Sequence, residues 1–419
     1  MPSGVAARMA VLTVLRRVRD GRRFDEALDE AATGLSAADR RLAHEVAAGV
    51  LRHRRELDRR LRQLTSAAWK RVNPDVKDLL RIGAYQLTYL DRVPGYAALS
   101  ATVEVAKAAV GNRPAGMVNA VLRRLSAADG EEAPTTDGLD LAERHSHPGW
   151  LVNRWLTRYG ADRTEALLRH NNARPDITIR PTRWVADQLR AALEASGIVF
   201  EDAPFGAGFV VRTPSVRSIP GFADGGFVVQ DPAQGRLLRF AAVPQTGRVW
   251  DACAAPGGKA AVLAAAGHRV VASDRARPRL ALLRETLRRT APEVLVLAAD
   301  ARYPPFAAAR LDTVLIDAPC SATGTLRRHP DARWRLTARR IHELARRQRE
   351  ILDATASAVG DGGRLIYLTC SLEPEENEDQ VDGFLHRHPG FYRESDDLSI
   401  FPPDSGTDGG YGARMRRRG

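Results

Sequence analysis

Two cysteines sit where they could do covalent chemistry. Cys320 lies in Asp317-Ala-Pro-Cys-Ser321 and Cys370 in Thr369-Cys-Ser371, short polar runs that each close an apolar stretch. A thiol with cations nearby ionises more easily and becomes a nucleophile, and Lys259, Arg327, Arg328 and His329 are the candidate cations. A third cysteine, Cys253, belongs to the small-residue run Asp251-Ala-Cys-Ala-Ala-Pro-Gly-Gly-Lys259. Small residues let backbone approach a ligand closely, and a helix opening there offers free amide donors. The run is neither a Walker loop nor Gly-x-Gly-x-x-Gly, which disfavours a nucleotide held by its phosphates. The plain alternative for the cysteines is three small buried hydrophobes.

Strands alternating with helices would bring these residues together. From Arg248 onward the pattern predicts strands at Val249–Cys253, Arg269–Ser273, Val294–Ala298, Leu311–Ile316 and Arg364–Thr369. Helices are predicted between them, notably over Arg277–Arg289 and Thr337–Val359. Such alternation specifies a parallel sheet covered on both faces, with ligands at the carboxyl ends of the strands. Asp274 at the second strand end is suited to the two hydroxyls of a ribose. Asp300 after the third is suited to an adenine amino group. With the glycine turn, this implies an adenosine-bearing cofactor without a pyrophosphate, hence S-adenosylmethionine. Both Cys320 and Cys370 then fall on the rim where the methyl group should lie. Exocyclic-nitrogen methylation needs no thiol and typically carries Pro-Pro-aromatic after the acidic residue of the fourth strand; here Cys320 takes one of those slots. Carbon 5 of a pyrimidine does need a thiol, because it is not nucleophilic until a thiolate adds at carbon 6.

The remaining sequence predicts what surrounds this sheet. Residues 5–125 have helical apolar periodicity, with Ser36 and Asp39 marking one helix start. Arg52, Arg55, Arg59 and Arg62 are expected as one basic stripe on a helix, available to RNA phosphates or simply to solvent. Residues 126–138 read as a surface linker. His147-Pro-Gly-Trp150 opens a helical stretch to about Asn171. Residues 177–230 mix a helix over Val185–Ser196 with short strands such as Ile177–Arg180 and Gly208–Arg212. The domain boundaries so drawn are 1–126, a linker at 127–144, a small α+β module at 145–230 and an α/β domain at 231–419. A net charge of +12 points to a polyanionic partner, nucleic acid first. No apolar run reaches a membrane span and no secretory leader is seen, so a cytoplasmic, membrane-free and monomeric protein is expected. Three cysteines without Cys-x-x-Cys spacing make neither a disulfide framework nor a structural zinc site, and no metal is expected.

The motifs at 251–259, 317–321 and 369–371 resemble those of the RNA cytosine-5 methyltransferases. The likeness continues through Ser321–Asp331 with Trp334 and through Pro374-Glu-Glu-Asn377. Leu80–Leu87 and Val118–Arg123 resemble a NusB-like helical domain, a combination found in the bacterial RsmB/Sun/Fmu family acting on 16S rRNA. The resemblance implies a Rossmann-like methyltransferase domain, an all-α NusB-like N-terminal domain and an α+β RNA-recognition module. It implies Cys370 as nucleophile, Cys320 as the residue assisting release, and Asp317 holding the cytosine edge and contacting the cofactor. Cys253, Ala254, Ala255, Pro256, Gly257, Gly258, Lys259, Asp274 and Asp300 would bind S-adenosylmethionine with Asp317. The sequence departs from the family pattern at Ala260, which bears on cofactor affinity, and at Arg180-Pro-Thr182, Gly410 and Gly412, which bear on RNA positioning and the last strand. The competing readings are a methylase of another RNA site, a non-catalytic RNA-binding factor, and a DNA cytosine methylase.

Overall fold

In the computed structural model, residues 4–65, 68–128, 138–213 and 215–419 are described. They form two compact units, Met1–Ala173 with Leu326–Arg335, and Arg174–Thr325 with Leu336–Gly419. Residues 129–137, the centre of the expected linker, lie outside the described residues.

The first unit is helical. Its main helices are Val5–Arg19, Phe24–Ala31, Ala37–Arg52, Arg54–Leu64, Pro74–Tyr89, Gly95–Val110, Asn112–Ala128 and Gly149–Asn172. Ser36 caps the third by accepting the Asp39 amide, as the Ser-x-x-Asp spacing predicts. Val11, Leu12, Val46, Leu57, Leu61, Leu80 and Leu122 are fully or almost fully buried in one core. Arg81 is buried beside it, pairing with both oxygens of Asp58 at 2.7 and 2.8 Å and with Asp78 at 2.7 Å. The expected basic stripe forms only in part: Arg55, Arg59 and Arg62 share helix Arg54–Leu64, but Arg52 does not. Helix Ala37–Arg52 ends before Arg54 begins the next, so Arg52 is not on the same helix as the others. Arg52 is buried and donates to Arg327 O, while Arg55 holds His147 O and Glu143. The segment Leu326–Arg335 is part of this unit: Trp334 Nε1 donates to Leu51 O at 2.7 Å, and Arg333 to Asn171 O and Asn172 Oδ1.

The second unit carries two sheets. β1 (Ile177–Pro181), β2 (Val199–Asp202), β3 (Phe209–Arg212) and β4 (Phe227–Val229) form an antiparallel sheet in the order β2-β3-β1-β4. Leu189 and Leu193 of helix Ala186–Ala195 pack on it with Ile179, Phe209 and Phe227. The larger sheet contains β5 (Arg248–Asp251), β6 (Arg269–Asp274), β7 (Leu295–Ala298), β8 (Leu311–Asp317), β9 (Val359–Thr369), β10 (Phe391–Arg393), β11 (Leu398–Ile400) and β12 (Gly410–Arg417). Its order is β10-β12-β9-β8-β5-β6-β7, with β11 also on β12. Side chains alternate across it as a pleated strand demands: Val249, Leu315, Ile366 and Leu368 face one core, and Trp250, Val314, Ile316 and Tyr367 the other.

The five expected strands, β5 to β9, form the parallel part of the sheet, and β12 makes the sheet mixed. β12 runs antiparallel to β9. The two glycines at its start have a packing reason. A Cβ at Gly410 would meet Leu237 Cδ1 at 2.9 Å, and one at Gly412 would meet Leu368 Cδ2 and Phe240 Cδ1 at 3.1 Å. Helix Pro232–Ala241 therefore lies directly against that strand, and the missing side chains permit the approach.

Candidate active site

The unusual residues gather at the carboxyl ends of β5, β6, β7, β8 and β9. After β5 the chain turns through Ala252–Gly257 into helix Gly258–Ala265. Cross-strand amides fix the turn, Ala252 N to Leu315 O and Ala254 N to Ser273 O, both at 2.9 Å. Gly257 has φ +108°, where a side chain would be strained, and a Cβ there would also meet Leu283 Cδ1 at 3.0 Å. Asp251 is completely buried at the start of the turn. Burial, and then the charge of Asp317, push its carboxyl up to about 8, so the group is largely protonated at neutral pH.

Lys259 joins the turn to the end of β8. Its side chain is 8% exposed, and Nζ donates to Asp317 Oδ2 at 2.6 Å and to Gln234 Oε1. Gln234 lies on helix Pro232–Ala241, which the sequence reasoning did not connect with the site; only its place in a helix packed on the sheet marks it. With two acceptors on its ammonium, Lys259 is engaged in orienting Asp317. Arg327, Arg328 and His329, the other expected cations, belong to the first unit, where His329 Nδ1 lies 3.2 Å from Asp25.

Asp274 and Asp300 occupy neighbouring strand ends, Asp274 pairing in register with Ala298. Asp274 accepts from Ala276 N at 3.1 Å and from Arg279 Nε at 3.0 Å, and the same guanidinium donates to Ala255 O at 2.7 Å. Arg279 thus ties the carboxylate to the glycine turn and leaves it lone pairs for two hydroxyls. Asp300 is more fully engaged, by Arg302 N at 3.1 Å, Arg302 Nη2 at 2.8 Å and Arg275 at 3.5 Å. Those hydrogen bonds hold its carboxyl down to about 2. A close backbone turn, an acceptor-only carboxylate beside it and a second, ionised carboxylate on the next strand fit a nucleoside such as that of S-adenosylmethionine.

Cys320 and Cys370 come together. Asp317 pairs in register with Leu368, and Ala318 N donates to Leu368 O at 2.8 Å, so the loops leaving β8 and β9 start side by side. The two sulfurs are 3.4 Å apart. The contact with Cys370, then burial, then the charges of Cys370 and Glu376 push the Cys320 thiol well up. The two thiols thus lie at hydrogen-bonding distance, and burial with the neighbouring charges favours the protonated form of Cys320. Cys253 stands apart in character: burial, with Asp274 and Asp251 near, pushes its thiol far up, and it packs against the core containing Trp250. Behind the pair lies the carboxylate of Glu376, which sequence reasoning did not single out by itself.

Comparison with known proteins agrees with this architecture. Residues 241–415 match the 16S rRNA methyltransferase RsmB/F family, residues 5–127 the NusB family, and residues 147–215 the ferredoxin-like domain of RsmF/B-like methyltransferases. Ribosomal RNA small subunit methyltransferase B of Vibrio cholerae is 36% identical, over 98% of this chain and 97% of that protein. The protein of the same name from Shigella sonnei is 37% identical over 90% and 89%. The crystal structure of PH0851 has the same fold, with a TM-score of 0.82 at 23% identity, covering 100% of this chain and 99% of that one. Similar to such relatives along almost its whole length, with a NusB domain, a ferredoxin-like domain and a Rossmann-like methyltransferase domain in that order, the chain belongs to the 16S rRNA methyltransferase RsmB/F family.

Proposed function

We propose that this protein methylates carbon 5 of a cytosine in 16S rRNA, with Cys370 as covalent nucleophile and Cys320 as its partner in release. The observation that carries this reading is the pair of thiols 3.4 Å apart on adjacent strand ends, next to the Lys259–Asp317 ion pair. S-adenosylmethionine, when bound, supplies an electrophilic methyl group. Asp274 would accept the ribose hydroxyls, Asp300 the adenine amino group, and the backbone of Cys253–Lys259 would line the cofactor.

The residues of this chain would do the rest. Asp317, oriented by Lys259, accepts hydrogen bonds from the cytosine edge. Cys370 Sγ adds to carbon 6, and the electron pair moves to carbon 5, which becomes the nucleophile that takes the methyl group. The carbon-5 proton then passes to a water molecule, and the pair of its C–H bond returns to the ring. The bond between Sγ and carbon 6 breaks with its electron pair going back to Cys370, and Cys320 assists that release. The base must leave its helical stack to reach the pocket. Residues 1–126 and 145–230 would hold the surrounding RNA by shape and charge while residues 231–419 perform the transfer.

Labelled S-adenosylmethionine and unmodified small-subunit rRNA, followed by mapping of 5-methylcytosine, test the reading. Cys370→Ala should abolish both methyl transfer and the covalent adduct, whereas Cys320→Ala should accumulate a long-lived protein–RNA adduct. The reverse pattern exchanges the two roles. No transfer to folded rRNA would favour an RNA-binding factor instead.

A further inference from the structure

Two loops leaving neighbouring strands do not by themselves fix two side chains at contact distance. The last paired backbone bond between β8 and β9 is Ala318 N to Leu368 O, two residues before each cysteine. Beyond it, Gly324 N donates to Cys370 O and Leu372 N to Thr323 Oγ1, both at 2.9 Å, and the short run Pro374-Glu-Glu-Asn377 adds a further connection through Ser321 and Ser371. Glu376 is completely buried and touches both loops at the residue after each cysteine. Its Oε1 accepts from Ser321 N at 2.8 Å and from Gln348 Nε2 at 3.2 Å. Its Oε2 accepts from Ser371 Oγ at 2.5 Å and from Ser321 Oγ. Gln348 Nε2 also donates to Pro319 O at 3.0 Å, on the other side of Cys320. Asn377 completes the frame, accepting from Thr369 Oγ1 at 2.6 Å and donating to Ser371 O at 3.0 Å, while Tyr367 OH donates to Glu376 O at 2.7 Å.

Every one of those four groups on the Glu376 carboxyl donates to it. An ionised carboxylate is the side chain that can accept from all four at once; an amide of the same shape turns two donors toward donors. We propose that Glu376 is a positioning residue for the reaction, holding Cys320 Sγ and Cys370 Sγ at proton-exchange distance through Ser321 and Ser371. This rests on the two cysteines being the reacting pair. Burial pushes the Glu376 carboxyl up, and the hydrogen bonds from Ser321 and Ser371 oppose that shift.

Two readouts separate positioning from chemistry. The first is disulfide capture by diamide, which takes two hydrogen atoms from the two thiols, is itself reduced to the hydrazine, and leaves one bond between the sulfurs. It reads their approach whatever they do in turnover. The second is methyl transfer, with kcat and the KM for S-adenosylmethionine measured separately. Glu376→Gln is expected to slow capture by about tenfold, because a disulfide forms only within a narrow geometry. It should lower kcat by about a hundredfold, the cost of a misplacement near 1 Å, with KM within about twofold. Ser371→Ala, which keeps the carboxylate and removes one contact, should fall between Glu376→Gln and the unaltered protein on both readouts. It also carries the test if Glu376→Gln does not fold. Capture at the unaltered rate in folded variants overturns the positioning role, whatever happens to turnover. Slowed capture with kcat untouched keeps Glu376 as the clamp and overturns instead the assignment of the two cysteines to the reaction.

Discussion

Asp251→Asn should make the protein more stable, and increasingly so as pH rises. The carboxyl is completely buried, and burial with the nearby Asp317 pushes it from 3.8 up to about 8. Between those values the folded protein holds a proton that the unfolded chain has released. Stability is thus undiminished below the unfolded value and falls as pH rises toward the folded one, by about 1.4 kcal/mol per pH unit. From about pH 6 to about pH 8 the loss is about 2–3 kcal/mol, and it levels off above that. Asparagine keeps the shape and one acceptor but carries no titrating proton, so its stability should lack this component. Asp317, Asp274 and Lys259 remain in both proteins, and subtracting one profile from the other isolates residue 251. Urea unfolding followed through tryptophan fluorescence is a suitable assay, because Trp250 is buried next in sequence and donates to Ser273 Oγ at 2.9 Å. Profiles of the two proteins that run parallel over this range would refute a proton held on Asp251.

Other substitutions bear on the cofactor site and the helical unit. Asp274→Asn should weaken S-adenosylmethionine binding by about ten- to a hundredfold in titration calorimetry, the worth of a hydrogen bond to a charged group. Asp300→Asn should weaken it less, since Arg302 and Arg275 already engage most of that carboxylate. Lys259→Met leaves Asp317 without its cation, and methyl transfer should fall by about tenfold or more, with a smaller effect on cofactor affinity. Arg81→Met takes from buried Asp58 its bidentate partner, leaves Asp78 to Arg19 alone, and should cost about 3–5 kcal/mol by chemical unfolding, with no effect on cofactor affinity.

The sequence was most legible where a local rule coincided with the fold. Strand–helix alternation locates β5 to β9 to within a few residues, because apolar runs bounded by turn formers leave little freedom in a sheet buried on both faces. Asp251, Asp274, Asp300, Asp317, Cys320 and Cys370 could be placed at strand ends for the same reason. The antiparallel β12 was harder to see, since Gly410 and Gly412 remove the alternation that announces a strand. Their cause is helix Pro232–Ala241, some 170 residues earlier in the chain and invisible to a local reading. The arginine stripe was right in part: Arg55, Arg59 and Arg62 share helix Arg54–Leu64, but the chain breaks at His53 and Arg52 turns inward.

What sequence reasoning did not find is the set of residues that act on the functional ones. Gln234 and Lys259 are 25 residues apart, Glu376 and Ser321 are 55 apart, and neither spacing has a period. Such partners are chosen by where the backbone brings them, so no rule of local chemistry selects Glu376 over Glu375 or Glu378. The structure selects it through burial. A carboxyl group out of water has a high cost unless every lone pair finds a donor, and Glu376 finds three of its four donors in the two residues that follow the cysteines and the fourth in Gln348. The cost of burying that group is offset only while both loops stay in place, so carboxylate solvation works with the loop bonds Gly324 N to Cys370 O and Leu372 N to Thr323 Oγ1 to hold the thiols together. The sulfurs need no attraction of their own to remain together, and either can leave the pair for a substrate carbon without the loops coming apart.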